Sequence, residues 1–249
     1  MVAGPVIDEL AQSYDAMGAP VLFLEQNVYD PQGIRIDRYH DARGGVACGV
    51  PWVIVDSGYG VTCGYQAFRE HYRGLVDAAL AHPAGAEIAA QYRRSNNNIA
   101  VEATVTNRSG RTIGFDDWAT IHALVYEHAH VVHTDRFVRA ATQTELVEDL
   151  ADGASQTVSL VLASVPVQNW DEASVVVIFD YRPDQTQSRF EALQSAIAVE
   201  VTPTPTVTPT QPTATPSPTV ATSTPSPTIE LPTLPPNAPR IYLPFAAAG

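Results

Sequence analysis

The chain contains no lysine and only two cysteines, and no stretch approaches the ~18 consecutive apolar residues that a membrane-spanning helix needs. Its 14 basic residues are all arginine, set against 27 acids for a net charge of −13 over 249 residues. With that acid excess and no basic stripe, there is little footprint for phosphate backbones or anionic lipid. Nucleic-acid binding and the common membrane-surface modes are therefore excluded as readings. The first residues, MVAGPVIDELAQSYDAM, lack the basic segment and apolar core of an export signal. No Cys-x-x-Cys, Cys/His finger spacing or Gly-x-Ser-x-Gly occurs, so the local signatures of dithiol exchange, zinc fingers and α/β hydrolases are missing as well.

What is present is unevenly spread. Residues 1–82 carry 10 acids and 5 Arg, residues 83–200 carry 16 and 8, and residues 201–249 carry one of each together with 13 of the 20 prolines. From Thr202 to Pro239 the chain is Thr/Pro/Ser-rich with Glu230 as its only charge, the composition of a disordered, extended spacer of polyproline-II type, as in stalks outside the cell. Four parts follow: an α/β unit at 1–82, a β-sandwich at 83–200, the spacer at 201–239 and a short apolar motif at 240–249.

Within the first part, Val6, Leu10, Tyr14 and Met17 recur at helical spacing between Pro5 and Gly18, which predicts a helix over 5–17 with Gly18 as its C-cap. Val21-Leu22-Phe23-Leu24 is an apolar run too short for a helix and reads as a strand covered on both faces. After a polar stretch at 34–43, Trp52–Val55 is a second strand, Ser57-Gly58 turns the chain, and Tyr59–Cys63 returns antiparallel. An amphipathic helix then spans 65–82 with Phe68, Tyr72, Leu75, Val76 and Leu80 inward. From Ala86 the period becomes two. Ile99, Val101, Ala103 and Val105 share one face, and strands are expected at 121–127, 131–138, 158–163, 175–181 and 193–199, the pattern of an all-β sandwich.

Gly49-Val50-Pro51 before the strand 52–55, followed by hairpin, Gly64 and helix, resembles the C-terminal half of the thioredoxin fold. The resemblance implies that Pro51, with Val50 before it, forms the family's cis-proline loop. Residues 169–181 (NWDEASVVVIFDY) and 193–197 are similar to closing strands of an immunoglobulin-like sandwich that follows such folds in secreted bacterial surface proteins, and the spacer with Arg240–Phe245 resembles their stalk and end motif. The family's first strand and dithiol are absent before the helix at 5–17. The missing strand is the central one, between those at 21–28 and 52–56, and it is expected upstream of Met1 together with an export signal and, on the oxidoreductase alternative, the redox cysteines.

Cys48 and Cys63, 15 residues apart, are read either as a disulfide in an oxidising compartment or as two separate thiols. His122, His128, His130 and His133 form a cluster in which His128, His130 and His133 are the metal-ligand candidates, against a reading as strand and loop histidines. Asp116-Asp117 and Glu148-Asp149 with Asp152 read as solvated turns, and Trp118 and Trp170 as packing in the sandwich or capping its end. No catalytic residue and no cofactor is assigned. The expectation is an extracytoplasmic, monomeric, non-catalytic binding or structural surface module with a protein or surface partner. The alternatives are a thiol-disulfide oxidoreductase whose Cys-x-x-Cys lies upstream of Met1, and a metal-binding module built on the histidines.

Overall fold

A computed structural model describes residues 3–26, 35, 52–63, 68–131, 134–184, 189–201 and 241–243. Cys48, Val50, Pro51, His133 and residues 202–240 lie outside the described residues. Most of what is described is β-strand in sheets, with few helices.

Helix α1 runs over Ala3–Ala16. It buries Val6, Leu10 and Tyr14 as the spacing requires, together with Ile7 and Ala11, whereas Met17 is exposed, because the helix has already ended. The Gly18 N–H donates to Asp15 and the Ala19 N–H to Tyr14, while Gly18 sits at φ +62°, so the C-cap is a Schellman turn built on a residue without a Cβ. Strand β1 (Val21–Phe23) is buried on both faces. Val21 and Phe23 join α1 and helix α2 (Phe68–Leu80), whereas Leu22 faces the other way. Tyr14 Oη donates to Asp77 Oδ1 at 2.6 Å, tying the two helices together. Strands β2 (Trp52–Val55) and β3 (Gly60–Cys63) form an antiparallel hairpin in which Cys63 stands opposite Trp52. Between them, Asp56 and Ser57 both adopt left-handed φ, 51° and 60°.

The β-region holds two four-stranded sheets. In one, β11 (Val199–Glu200), β4 (Ala86–Ser95), β5 (Asn98–Asn107) and β8 (Ser155–Leu162) lie side by side. In the other the order is β10 (Glu191–Ile197), β9 (Ala173–Tyr181), β6 (Thr120–Glu127) and β7 (Phe137–Glu145). Ile88, Val101, Val105, Ile121, Val125, Val177 and Phe179 fill the space between the sheets. Two sequence expectations need correction here. The strand placed at 131–138 is Phe137–Glu145: Val131 and its β-branched neighbour drew that reading, but Val131 is exposed and the chain enters the sheet only at Phe137. The strand β4 was not singled out, because its inward positions are largely alanine, which carries little hydrophobic signal.

The second sheet is buried on both faces. Its outer positions, Leu124, Tyr126, Val138, Val176 and Ile178, pack against Leu22 and Leu24. The backbone joins in at the edge: Glu25 N donates to Arg136 O and Val138 N donates to Glu25 O, both at 2.8 Å, so the segment after β1 extends the sheet beyond β7. Layers therefore succeed one another from sheet to sheet to β1 to helices.

The last described strand, β12 (Ile241–Leu243), pairs in parallel with β1, Val21 opposite Ile241 and Phe23 opposite Leu243, and lies against β2. The place between β1 and β2, expected to await a segment upstream of Met1, is held here by Ile241–Leu243.

Candidate functional site

Because the outer face of the second sheet is covered, polar side chains on it become internal. His122 alternates outward from β6 as its position dictates, yet it is buried, and its Nε2 lies 3.0 Å from Asp180 Oδ1 on β9. Asp180 Oδ2 lies 3.5 Å from Arg35 Nη2, which also donates to Ser57 Oγ. All four residues are at most 2% exposed. A serine, a histidine and an aspartate thus share one seam, but the serine is engaged by the guanidinium and the seam has no open face. Nucleophilic catalysis needs a base on the serine and access for substrate. The seam is an internal clasp between layers rather than a reaction centre.

Of the other histidines in the cluster, His133 lies outside the described residues, and His128 and His130 meet separate neighbours. His128 is exposed, its ring 5.5 Å from that of Tyr126, and His130 Nδ1 sits 3.0 Å from Asp135 Oδ1 at the surface. Among the described residues there is no group of three or more His, Cys, Asp or Glu side chains arranged to hold a metal ion. Glu127, beside that cluster in sequence, is committed elsewhere. Its carboxylate accepts from Asn169 N at 2.5 Å, from Gln168 N at 3.3 Å and from Arg139 Nε at 2.6 Å. Burial by itself would push the Glu127 carboxyl upward, but the Asn169 and Gln168 N–H groups and then Arg139 outweigh it, and the net shift is downward. A carboxyl whose folded value is depressed contributes stability above its unfolded value, about 4.3, and that contribution is lost as pH falls through the folded value. Glu127→Gln should therefore cost about 1.5–3 kcal/mol at pH 7. The gap between variant and wild type should narrow towards pH 3, as urea titrations at the two pH values will read.

The open chemistry lies at the end of the sandwich. A 3₁₀ turn, Phe115–Asp117, precedes β6 and is locked by its own last residue: Asp117 Oδ2 accepts from Gly114 N at 3.0 Å and Oδ1 from Arg111 Nη2 at 2.6 Å. Asp117 O accepts from Arg182 N at 2.7 Å, which fixes the turn to the end of β9. A Cβ on Gly114 would fall 1.9 Å from Asp149 Oδ1, so any larger residue there requires the Asp149 side chain to move. The turn holds Phe115 61% and Trp118 50% exposed, Trp118 at a left-handed φ of 56°. These two rings line a groove of about 550 Å³ with Asp116, Glu145 and Arg182. Trp118 was expected to pack in the sandwich or cap its end. It stands at the end and is half exposed, and Trp170, partly buried against the core, carries Arg94 4.9 Å over its ring. Nothing local to Phe115 marks it in the sequence, although a tryptophan beside two acids and a glycine is a turn-like setting.

Comparisons with known proteins add little. No family model matches the chain, and no curated protein matches it. Among solved structures, a domain of the outer membrane lipoprotein Omp28 from Porphyromonas gingivalis aligns at 13% identity over 47% of this chain and 88% of that one, with a TM-score of 0.32. The sporulation control protein Spo0M from Bacillus subtilis aligns at 8% identity over 47% of this chain and 49% of its own, with a TM-score of 0.29. The β-glucosidase 3B from Thermotoga neapolitana aligns at 15% identity over 45% of this chain but 15% of its own length, with a TM-score of 0.27. Likeness at this level assigns no function. Among the described residues, no helix is long and apolar enough to cross a membrane.

Proposed function

We propose that the chain is a non-catalytic binding module of an exported surface protein, in which a thioredoxin-like unit and an immunoglobulin-like sandwich form the scaffold and the Phe115–Trp118 groove meets the partner. The observation that carries this reading is the exposure of two aromatic rings on a turn pinned by Asp117. A pre-set turn loses little freedom on binding, and aromatic faces ringed by a few polar groups are the usual make-up of a recognition site. Among the described residues around the groove, Asp116 and Glu145 outnumber Arg182, and the whole chain is acidic, so the chemistry it suits is a basic, partly apolar patch on a protein. The Thr/Pro-rich stretch after residue 201 supports an extracytoplasmic setting.

Titration with an arginine-rich peptide, read by tryptophan fluorescence, tests the groove. Trp118→Ala should weaken binding at least tenfold, about 1.4 kcal/mol, and Glu145→Gln should reduce both affinity and its salt dependence. Equal affinity of wild type and Trp118→Ala would remove the groove from consideration. In an insulin-reduction assay no turnover is expected; turnover would move the reading to a thiol-disulfide oxidoreductase.

A further inference from the structure

The pairing of β12 with β1 joins residues about as far apart as the chain permits, Val21 with Ile241 and Phe23 with Leu243. Among the described strands, β1 has no other ladder partner and β2 pairs only with β3. Both are fully buried, and buried N–H and C=O groups left without partners are costly. The hydrogen bonds that β1 needs on its ladder side therefore come from three residues at the far end of the chain. Those residues are suited to the task. Ile-Tyr-Leu is a β-favouring triplet, and Pro239 and Pro244 bound it by withholding ladder donors on either side. The 39 residues at 202–240 between Val201 and β12 contain no comparable apolar triplet without a proline or charge in it, so the register has little competition from neighbouring sequence.

We propose that the slot between β1 and β2 is a strand-binding site whose ligand is the C-terminal triplet Ile241–Leu243, docked by strand addition through its backbone. The recognition mode is β-augmentation, with main-chain bonds supplying affinity and alternate side chains supplying specificity. A ligand held this way is exchangeable. The tether raises its local concentration but is not what binds it. The site is independent of the Phe115–Trp118 groove.

The test keeps the full chain. A protease recognition sequence is introduced near residue 215, the folded protein is cleaved, and the products are passed over a sizing column in native buffer. The C-terminal fragment is expected to co-elute with the body, and its release only under denaturant supports the site. Prompt separation of fragment and body in native buffer would overturn the proposal and leave the slot to some other strand. Tyr242→Pro, which removes an N–H from the middle of β12, should convert co-elution to separation while the sandwich stays folded. Co-elution undiminished by that substitution would equally overturn pairing through the backbone. A fluorescent peptide of residues 237–249 provides the measurement in trans. It should bind the fragment-depleted body saturably, and its Tyr242→Pro counterpart should bind at least tenfold more weakly; equal binding of the two would count against the proposal.

Discussion

Replacing Asp180 by alanine is expected to cost about 3–5 kcal/mol, a large share of the stability of an ordinary domain. Asp180 is completely buried and receives His122 Nε2 at 3.0 Å and Arg35 Nη2 at 3.5 Å. Arg35 is itself buried, so deletion of the carboxylate removes an opposite charge 3.5 Å from a guanidinium inside the protein. The energy at stake is that loss of charge compensation more than the bond removed. Asp180→Asn keeps an acceptor for His122 without the charge and should fall between wild type and alanine. The double change Arg35→Met with Asp180→Leu removes both charges and should recover most of the loss, as apolar replacements of buried pairs often do. Urea denaturation of the four proteins decides it. A loss under 1 kcal/mol for Asp180→Ala would mean that water reaches the seam.

That seam also shows how far the sequence could be read. Alternation along β6 sets His122 on the face opposite Ile121 and Ala123, away from the core between the sheets; what alternation cannot say is whether that outer face meets water or another layer. The clue was in the neighbouring strand. Val175 to Phe179 is an unbroken apolar run, and such runs belong to strands covered on both sides. The same logic correctly assigned two covered faces to Val21–Phe23. Where the signal failed, it failed for local reasons. Alanines hid β4, Val131 drew a strand too early, and a left-handed Trp118 has no sequence mark. The pairing of β1 with Ile241–Leu243 was beyond any window of the sequence, since strand partners so distant leave no periodic trace in either segment.

Phe179→Ala should cost as much as the loss of Asp180, about 3–5 kcal/mol, although the two side chains point in opposite directions from adjacent positions of β9. Phe179 is fully buried in the core between the two sheets, in the cluster that contains Val105, Ile121 and Val177. Truncation there opens a cavity that neighbours held in a sheet cannot easily fill, so the cavity adds to the lost transfer energy. Ile178, next to it, faces the layer formed by Leu22 and Leu24 and should cost about 2–5 kcal/mol when cut to alanine. Native-state hydrogen exchange separates the two. Phe179→Ala should speed exchange first in β5 and β8 across the core, and Ile178→Ala first in β1 and α1, because local opening follows the contacts that are lost. Identical exchange patterns from the two variants would show that sandwich and helical layer open as a single cooperative unit, with the Arg35–Asp180–His122 clasp and the Glu25 backbone bonds as the couplings that make it so.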